Sequence, residues 1–144
     1  MIHVSGIPSE YIDEVWKDCS KYVEMGINKS QEEMDKHDIY FFLKEKEMQL
    51  WVVYDEENKK EIKAVVTTQI INYPQKKVCR IVTLGGNDMD EWVAQVLDVL
   101  EDWSEEQECE SMETVCRKGF IKKLKGFGYE QTYTILGKEL TTIH

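Results

Sequence analysis

The side chains able to do chemistry are spread thinly along this sequence. His3, His37 and His144 stand far apart, and His144 is terminal, so the histidines form no constellation. Cys19, Cys79, Cys109 and Cys116 include no C-x-x-C pair and no nearby histidine, which argues against zinc and against a dense disulfide framework. Free thiols in a reducing compartment are the expectation. Cys116 has two readings, a nucleophilic thiol or a buried, inert one. A general base would be a carboxylate or a histidine. Backbone chemistry has one clear location, the adjacent pair Gly85-Gly86, where the main chain can be approached closely.

Those groups need a core to position them. At 144 residues the chain has the usual size of one domain. No repeat, low-complexity tract or linker divides it, so residues 1–144 are expected to form a single unit. With 42% apolar and 10% aromatic residues it should fold despite 32% charged residues. The longest apolar run, Leu50–Tyr54, has five residues, against the roughly 20 that a membrane helix needs. Met1–Glu10 shows neither a basic n-region nor a long apolar stretch, so a cytoplasmic location is expected. The net charge of −10 leaves no diffuse footprint for nucleic acid, and any phosphate binding would have to be local.

Periodicity supplies the elements. Ile2–Ile7 alternates as a short strand. Pro8 and Ser9 open a helix whose stripe is Tyr11, Ile12, Val15, Trp16, Cys19 and Val23, with Gly26 as its stop. Ser30-Gln31-Glu32-Glu33 is a capping box and predicts a second helix from that point. Met48–Tyr54, Glu61–Asn72 and Lys77–Leu84 read as strands, joined by a charged turn at Asp55–Lys60 and by Tyr73-Pro74-Gln75. Such short turns make them an antiparallel meander. Gly85-Gly86-Asn87-Asp88 then breaks the strand, with Asn87 or Asp88 able to cap the next helix. Trp92, Val96, Val99, Leu100 and Trp103 fall at i, i+4, i+7, i+8 and i+11, a helix from Met89 to about Gln107. Ser111–Cys116 is a strand, Lys118–Lys125 a short basic helix and Tyr129–Leu140 a last strand. The helical crossover should set Ser111–Cys116 parallel to Lys77–Leu84 in a mixed sheet.

This order of elements resembles the GNAT-type N-acetyltransferases along essentially the whole chain. Arg80-Ile-Val-Thr-Leu-Gly-Gly86 before a helix and Lys118-Gly-Phe-Ile-Lys-Lys-Leu-Lys-Gly-Phe-Gly-Tyr129 near the end carry the local likeness, which extends to the divergent GNAT-like proteins of phages and prophages. The resemblance implies an α/β (α+β) fold, a mixed and mostly antiparallel central sheet flanked by helices. It implies that Lys77–Leu84 and Ser111–Cys116 splay apart to hold the pantetheine arm of acetyl-CoA. The backbone of Thr83, Leu84, Gly85, Gly86 and Asn87 would bind that cofactor, helped by the dipole of the following helix. Glu113, beside the splay, would be the catalytic base for an amine-bearing acceptor.

The chain also departs from the family's pattern. Of the usual Arg/Gln-x-x-Gly-x-Gly/Ala loop it keeps only Gly85-Gly86, followed by Asp88, Asp90 and Glu91, which would repel a pyrophosphate. The slot of the tyrosine that reprotonates the leaving thiolate is Leu124 or Lys122, according to which Gly-aromatic pair is aligned, with Tyr129 and Tyr133 nearby. Two readings are open: a divergent acyl-CoA-dependent N-acyltransferase, or a catalytically inactive GNAT-like phage protein with a structural or host-interaction role, in the host cytoplasm or the virion.

Charge adds a last expectation. Asp98, Glu101, Asp102, Glu105, Glu106, Glu108 and Glu110 acidify the end of the long helix and the turn after it, against the helix dipole. Arg117, Lys118, Lys122, Lys123 and Lys125 form the opposite patch. The pairing suggests a homo-oligomer, or an assembly with phage or host protein, in which one copy's acidic helix end meets another's basic segment. The alternative is a monomer whose patches neutralise each other. Sedimentation at low and high salt decides, because exposed charges are screened beyond roughly 8–10 Å at 0.1–0.15 M. The assembly is expected to loosen as salt rises, and a monomer at every salt concentration rejects it.

Overall fold

Continuous runs of β-branched and aromatic residues make the strands here, and their alternation decides which side chains meet which layer. The computed structural model of the chain describes residues 1–27 and 33–141. Strand β1, Ile2–Ile7, leads through a 3-10 turn at Ser9–Tyr11 into helix α1, Ile12–Gly26. Helix α2 spans Lys36–Lys44, and strands β2, β3 and β4 span Gln49–Asp55, Asn58–Asn72 and Lys77–Gly86. Helix α3, Met89–Glu106, precedes β5, Ser111–Thr114, and α4, Lys118–Lys125. The sheet order is β1-β2-β3-β4-β5. The first four strands are antiparallel and β5 runs parallel to β4, as the helical crossover requires.

Two cores follow from the pleat. On one face Ile12, Cys19 and Val23 of α1 and Ile39 and Leu43 of α2 pack with Leu50, Val52 and Val65. On the other, Trp92, Val96, Leu97 and Leu100 of α3 pack with Trp51, Val53, Ala64, Val66 and Ile81. Among the described residues the buried side-chain polar groups are paired. The Trp51 indole N–H donates to Thr68 Oγ1 at 3.0 Å, whose hydroxyl donates on to Gln49 Oε1 at 2.9 Å. Thr67 and Thr83 share a buried hydroxyl hydrogen bond of 2.6 Å across β3 and β4. The register between those strands slips at Thr67/Thr68, which face Thr83 and Ile81, so Val82 is the extra residue of a bulge.

The structure corrects several boundaries. Helix α2 begins at Lys36, where Asp35 and Asp38 form a capping box: the Asp35 carboxylate accepts from His37 N–H and Asp38 N–H at 2.9 and 3.0 Å. Residues 30–32 of the expected box, like His144, lie outside the described residues. The charged turn contracts to Glu56 and Glu57, since β3 starts at Asn58. β4 runs two residues past Leu84, and β5 stops at Thr114 instead of Cys116. The largest correction is the expected strand at Tyr129–Leu140, which has no regular structure and is mostly exposed. An alternating pattern makes a strand only with a ladder partner. The chain leaves α4 through a turn at Gly128, with φ +90°, and Tyr129 is pinned against α3, its hydroxyl donating to Glu101 at 3.0 Å. Among the described residues no helix is long and apolar enough to cross a membrane.

The α1–β4 contact is closed to side chains. A Cβ on Gly26 would sit 2.7 Å from Leu84 N, and one on Gly85 would run into the Tyr22 carbonyl and lie 2.8 Å from Gly26 N. Gly85→Ala is therefore expected to destabilise the fold by about 1–3 kcal/mol, since backbone must move to admit the methyl. Gly119→Ala, with open space around its Cβ, should be neutral or stabilising in the same denaturant titration.

Candidate active site

β4 and β5 stay paired over four residues and then separate. Their ladder runs from Val78↔Ser111 to Ile81↔Thr114, after which β4 continues to Gly86 and β5 ends. Thr114 Oγ1 donates to the Ile81 carbonyl at 2.9 Å and closes the apex. Past this point β4 has a ladder neighbour on the β3 side alone. Bonded and non-bonded pairs alternate along an antiparallel ladder. Because Asn87 N–H donates to the Lys63 carbonyl at 3.0 Å, Gly85 and Thr83 are the residues bonded to β3. The amides of Leu84 and Gly86 consequently face the open side.

The opening is a cleft of about 90 Å3. Val82, Thr83 and Leu84 form one wall and Val115, Cys116 and Arg117 the other, with Gly26 of α1 on one side and Met89 and Phe120 on the opposite side. Sites for compact ligands usually measure roughly 300–1,000 Å3, so this one suits a slender extended chain. A larger hollow of about 360 Å3 lies at the β1–β2 edge beside Trp51 and Trp103, and the side-chain amide oxygen there, Gln49 Oε1, already accepts from Thr68.

Glu113 lies one residue from the apex, on the opposite face of β5 from Thr114. Its Oε2 accepts from Arg80 Nε at 2.7 Å and lies 2.6 Å from Arg80 Nη2, and the Tyr73 hydroxyl lies 3.1 Å from both carboxylate oxygens. Arg80 Nη2 also donates to Tyr73 Oη at 3.0 Å, closing a three-membered network. Burial opposes the guanidinium's charge, but the bonds to Glu113 and Tyr73 more than offset it and raise the pKa of Arg80. Sequence reasoning reaches Glu113 and misses both partners. The parallel pairing was expected without a register, and the observed one sets Arg80 opposite Glu113, whereas Tyr73 showed only as a turn residue.

The expected cofactor-binding backbone divides at Leu84. Thr83 and Leu84 line the cleft. Gly85 and Gly86 are paired strand residues opposite Val65 and Ala64, and a Cβ on Gly86 would collide with Ala64 and the Lys63 carbonyl. Their lack of a side chain thus serves packing. Asn87 is held at both ends, its N–H on Lys63 and its carbonyl accepting from Trp92 Nε1 at 2.6 Å. Only Asn87 and Asp88 connect β4 to α3, and Asp88 takes a left-handed conformation, φ 55°, with no side-chain cap bond. Asp90 pairs with Lys123 at 2.8 Å and Glu91 with Lys63 at 3.0 Å. The residues present accordingly fit the arm of acetyl-CoA, whereas Asp88, Asp90 and Glu91 stand where its pyrophosphate would approach the Gly86 amide and the start of α3.

The remaining candidates are soon placed. Leu124 is buried in the α3-side core and Lys122 is exposed. Burial, then Glu101, pushes the Tyr129 hydroxyl far above its ordinary value, and it faces α3. Cys116 lines the cleft, and burial raises its thiol as well, which disfavours the nucleophilic thiolate. His3 lies tilted against Tyr54 at the β1 edge, ring centroids 5.2 Å apart. Among the described residues no three His, Cys, Asp or Glu side chains cluster as metal ligands.

No protein-family model matches the sequence, and no curated protein matches it. Solved structures do. A protein described as a probable acetyltransferase superposes with a TM-score of 0.70 at 10% identity, covering 99% of both chains. A ribosomal-protein-alanine N-acetyltransferase from Brucella melitensis biovar Abortus 2308 gives 0.68 at 9% identity, over 96% of this chain and 99% of that one. A predicted acetyltransferase from Clostridium acetobutylicum, solved with acetyl-CoA, gives 0.65 at 14% identity over 96% of each. Likeness this complete at such low identity speaks for architecture alone, and that architecture is the GNAT acetyltransferase fold.

Proposed function

We propose that the chain is an N-acyltransferase-like protein that receives an acyl group from a pantetheine thioester laid in the β4–β5 cleft. The parting of the two strands after Ile81 and Thr114 carries this reading, because it turns β4 amides into a narrow apolar slot. A pantetheine arm is an extended chain with its own amides, and an unpaired strand edge is the complement of such a chain. We assign the open-facing Leu84 amide to the arm, and set the thioester carbonyl deeper, toward the Ile81–Thr114 apex and Glu113. An amine nitrogen attacks that carbon, a C–N bond forms as the C–S bond breaks, the nitrogen's proton passes to a base, and the departing sulfur takes up a proton. Glu113 is the base in this reading, oriented by Arg80 and Tyr73, and water supplies the sulfur's proton in place of a tyrosine.

One observation favours the rival reading of an inactive fold. Glu113 already has an ion pair and a phenol as partners, as a purely structural carboxylate would. The association proposed from charge also keeps both of its surfaces, since Asp98, Asp102, Glu105 and Glu106 of α3 and Lys118 and Lys122 of α4 are exposed.

S-acetyl-pantetheine at a hundredfold excess over its Kd should stabilise the chain by about 2.7 kcal/mol, a rise of several degrees in Tm. No shift at any concentration would leave the inactive reading. With an amine acceptor supplied, Glu113→Gln is expected to lower kcat by roughly 10²–10⁴-fold while donor binding is unchanged. A loss below about tenfold assigns Glu113 to structure.

A further inference from the structure

The surroundings of the cleft discriminate between the two halves of an acyl donor. The arm finds the open edge of β4, whereas a nucleotide pyrophosphate at the start of α3 would meet Asp88, Asp90 and Glu91 across a connection of only two residues. Lys63 and Lys123 already pair with two of these acids. Cationic groups stand instead on the other lip. Arg117 lines the cleft, and Arg117, Lys118, Lys122 and Lys125 are exposed and make no ion pair among the described residues. They form a convex helical surface beside the mouth, suited to another surface more than to a small anion. Lys123 of α4 pairs with Asp90 at the start of α3, and Glu105 and Glu106 lie roughly 22–24 Å further along that helix.

We propose that the donor is a pantetheine thioester carried on a small acidic protein, which docks on α4 and passes its arm by Arg117 into the cleft. The proposal rests on the acyl-transfer reading above and names its donor. The arm's single phosphodiester comes to Arg117, and no second phosphate has to be accommodated. At a net charge of −10 the chain repels an acidic partner at long range. Within a Debye length of about 8–10 Å, the local cations of α4 decide instead. The transfer balances as before, the carrier's thiol gaining a proton as the amine loses one.

Calorimetry on the full chain tests this with four probes: S-acetyl-pantetheine, acetyl-CoA, an acyl carrier protein bearing S-acetyl-phosphopantetheine, and that carrier without its arm. The loaded carrier is expected to bind at least about tenfold tighter than S-acetyl-pantetheine and than the armless carrier, with acetyl-CoA within about threefold of S-acetyl-pantetheine. Lys118→Glu combined with Lys122→Glu should remove that tenfold gain and leave S-acetyl-pantetheine binding unchanged, which also shows that the variant is folded. Acetyl-CoA binding about tenfold tighter than S-acetyl-pantetheine would overturn the proposal and bring the nucleotide's phosphates to α4. A loaded carrier no tighter than the free arm would overturn it too, while leaving acyl transfer intact. Failure of all four probes to bind would instead remove the acyl-transfer reading.

Discussion

The cleft depends on a contact between two stretches of backbone. The last turn of α1 lies on β4 with no side chain between them, Gly26 over Leu84 N and Gly85 beneath the Tyr22 carbonyl. Around this contact Tyr22 Oη donates to the Ile62 carbonyl at 2.9 Å, and the Thr67–Thr83 bond ties β3 to β4. β4 is thereby held from one face and one edge, so its other edge can stay open without β5 to support it. A slot whose wall is already rigid loses little ordering entropy when a chain lies against it. The same contact removes Gly85 from any role toward an anion, because its open side is filled by helix.

Charge around the start of α3 follows a related logic. Carboxylates in a helix's first turn stabilise it, at roughly 0.3–1 kcal/mol each when exposed. Lys63 from the sheet and Lys123 from α4 bracket these acids and tie three elements together. Pairs this exposed contribute little to stability. Their larger effect is on the ligand, because the helix terminus that would otherwise attract phosphate already has its anions.

Most of the architecture was legible in the sequence where pattern and local chemistry agreed. Trp92 to Trp103 marked α3 within a residue of its end, and the crossover over Met89–Glu106 set the parallel pairing of β5. Legibility failed where a choice depended on something distant. Gly85 and Gly86 look like a loop until β3 and α1 are seen to need backbone without side chains there. For α2 the sequence pointed to Ser30–Glu33, of which residues 30–32 lie outside the described residues, and the acid pair Asp35–Asp38 that caps the helix was not read as a box. Tyr129–Leu140 alternates like a strand, but propensity supplies no ladder partner. Of the candidate cleft, the wall at Thr83 and Leu84 was legible and Glu113 was named without its partners, whereas Arg80, Tyr73 and the mouth residue Arg117 acquire a place only from register and from the position of α4.

The two cores share the sheet and little else, and a cysteine is buried on each face of that sheet. Cys19 faces the α1–α2 layer, its thiol pushed up to about 11 by burial and then by Asp18. Cys79 faces α3, beside Ser104, and burial raises it as well. Neither thiol is accessible until its own layer lifts from the sheet, so a thiol reagent reads the opening of each layer separately. The molecule thus carries one native clock on each side, without any introduced label. A difference between the two rates would measure how unevenly stability is divided across the sheet.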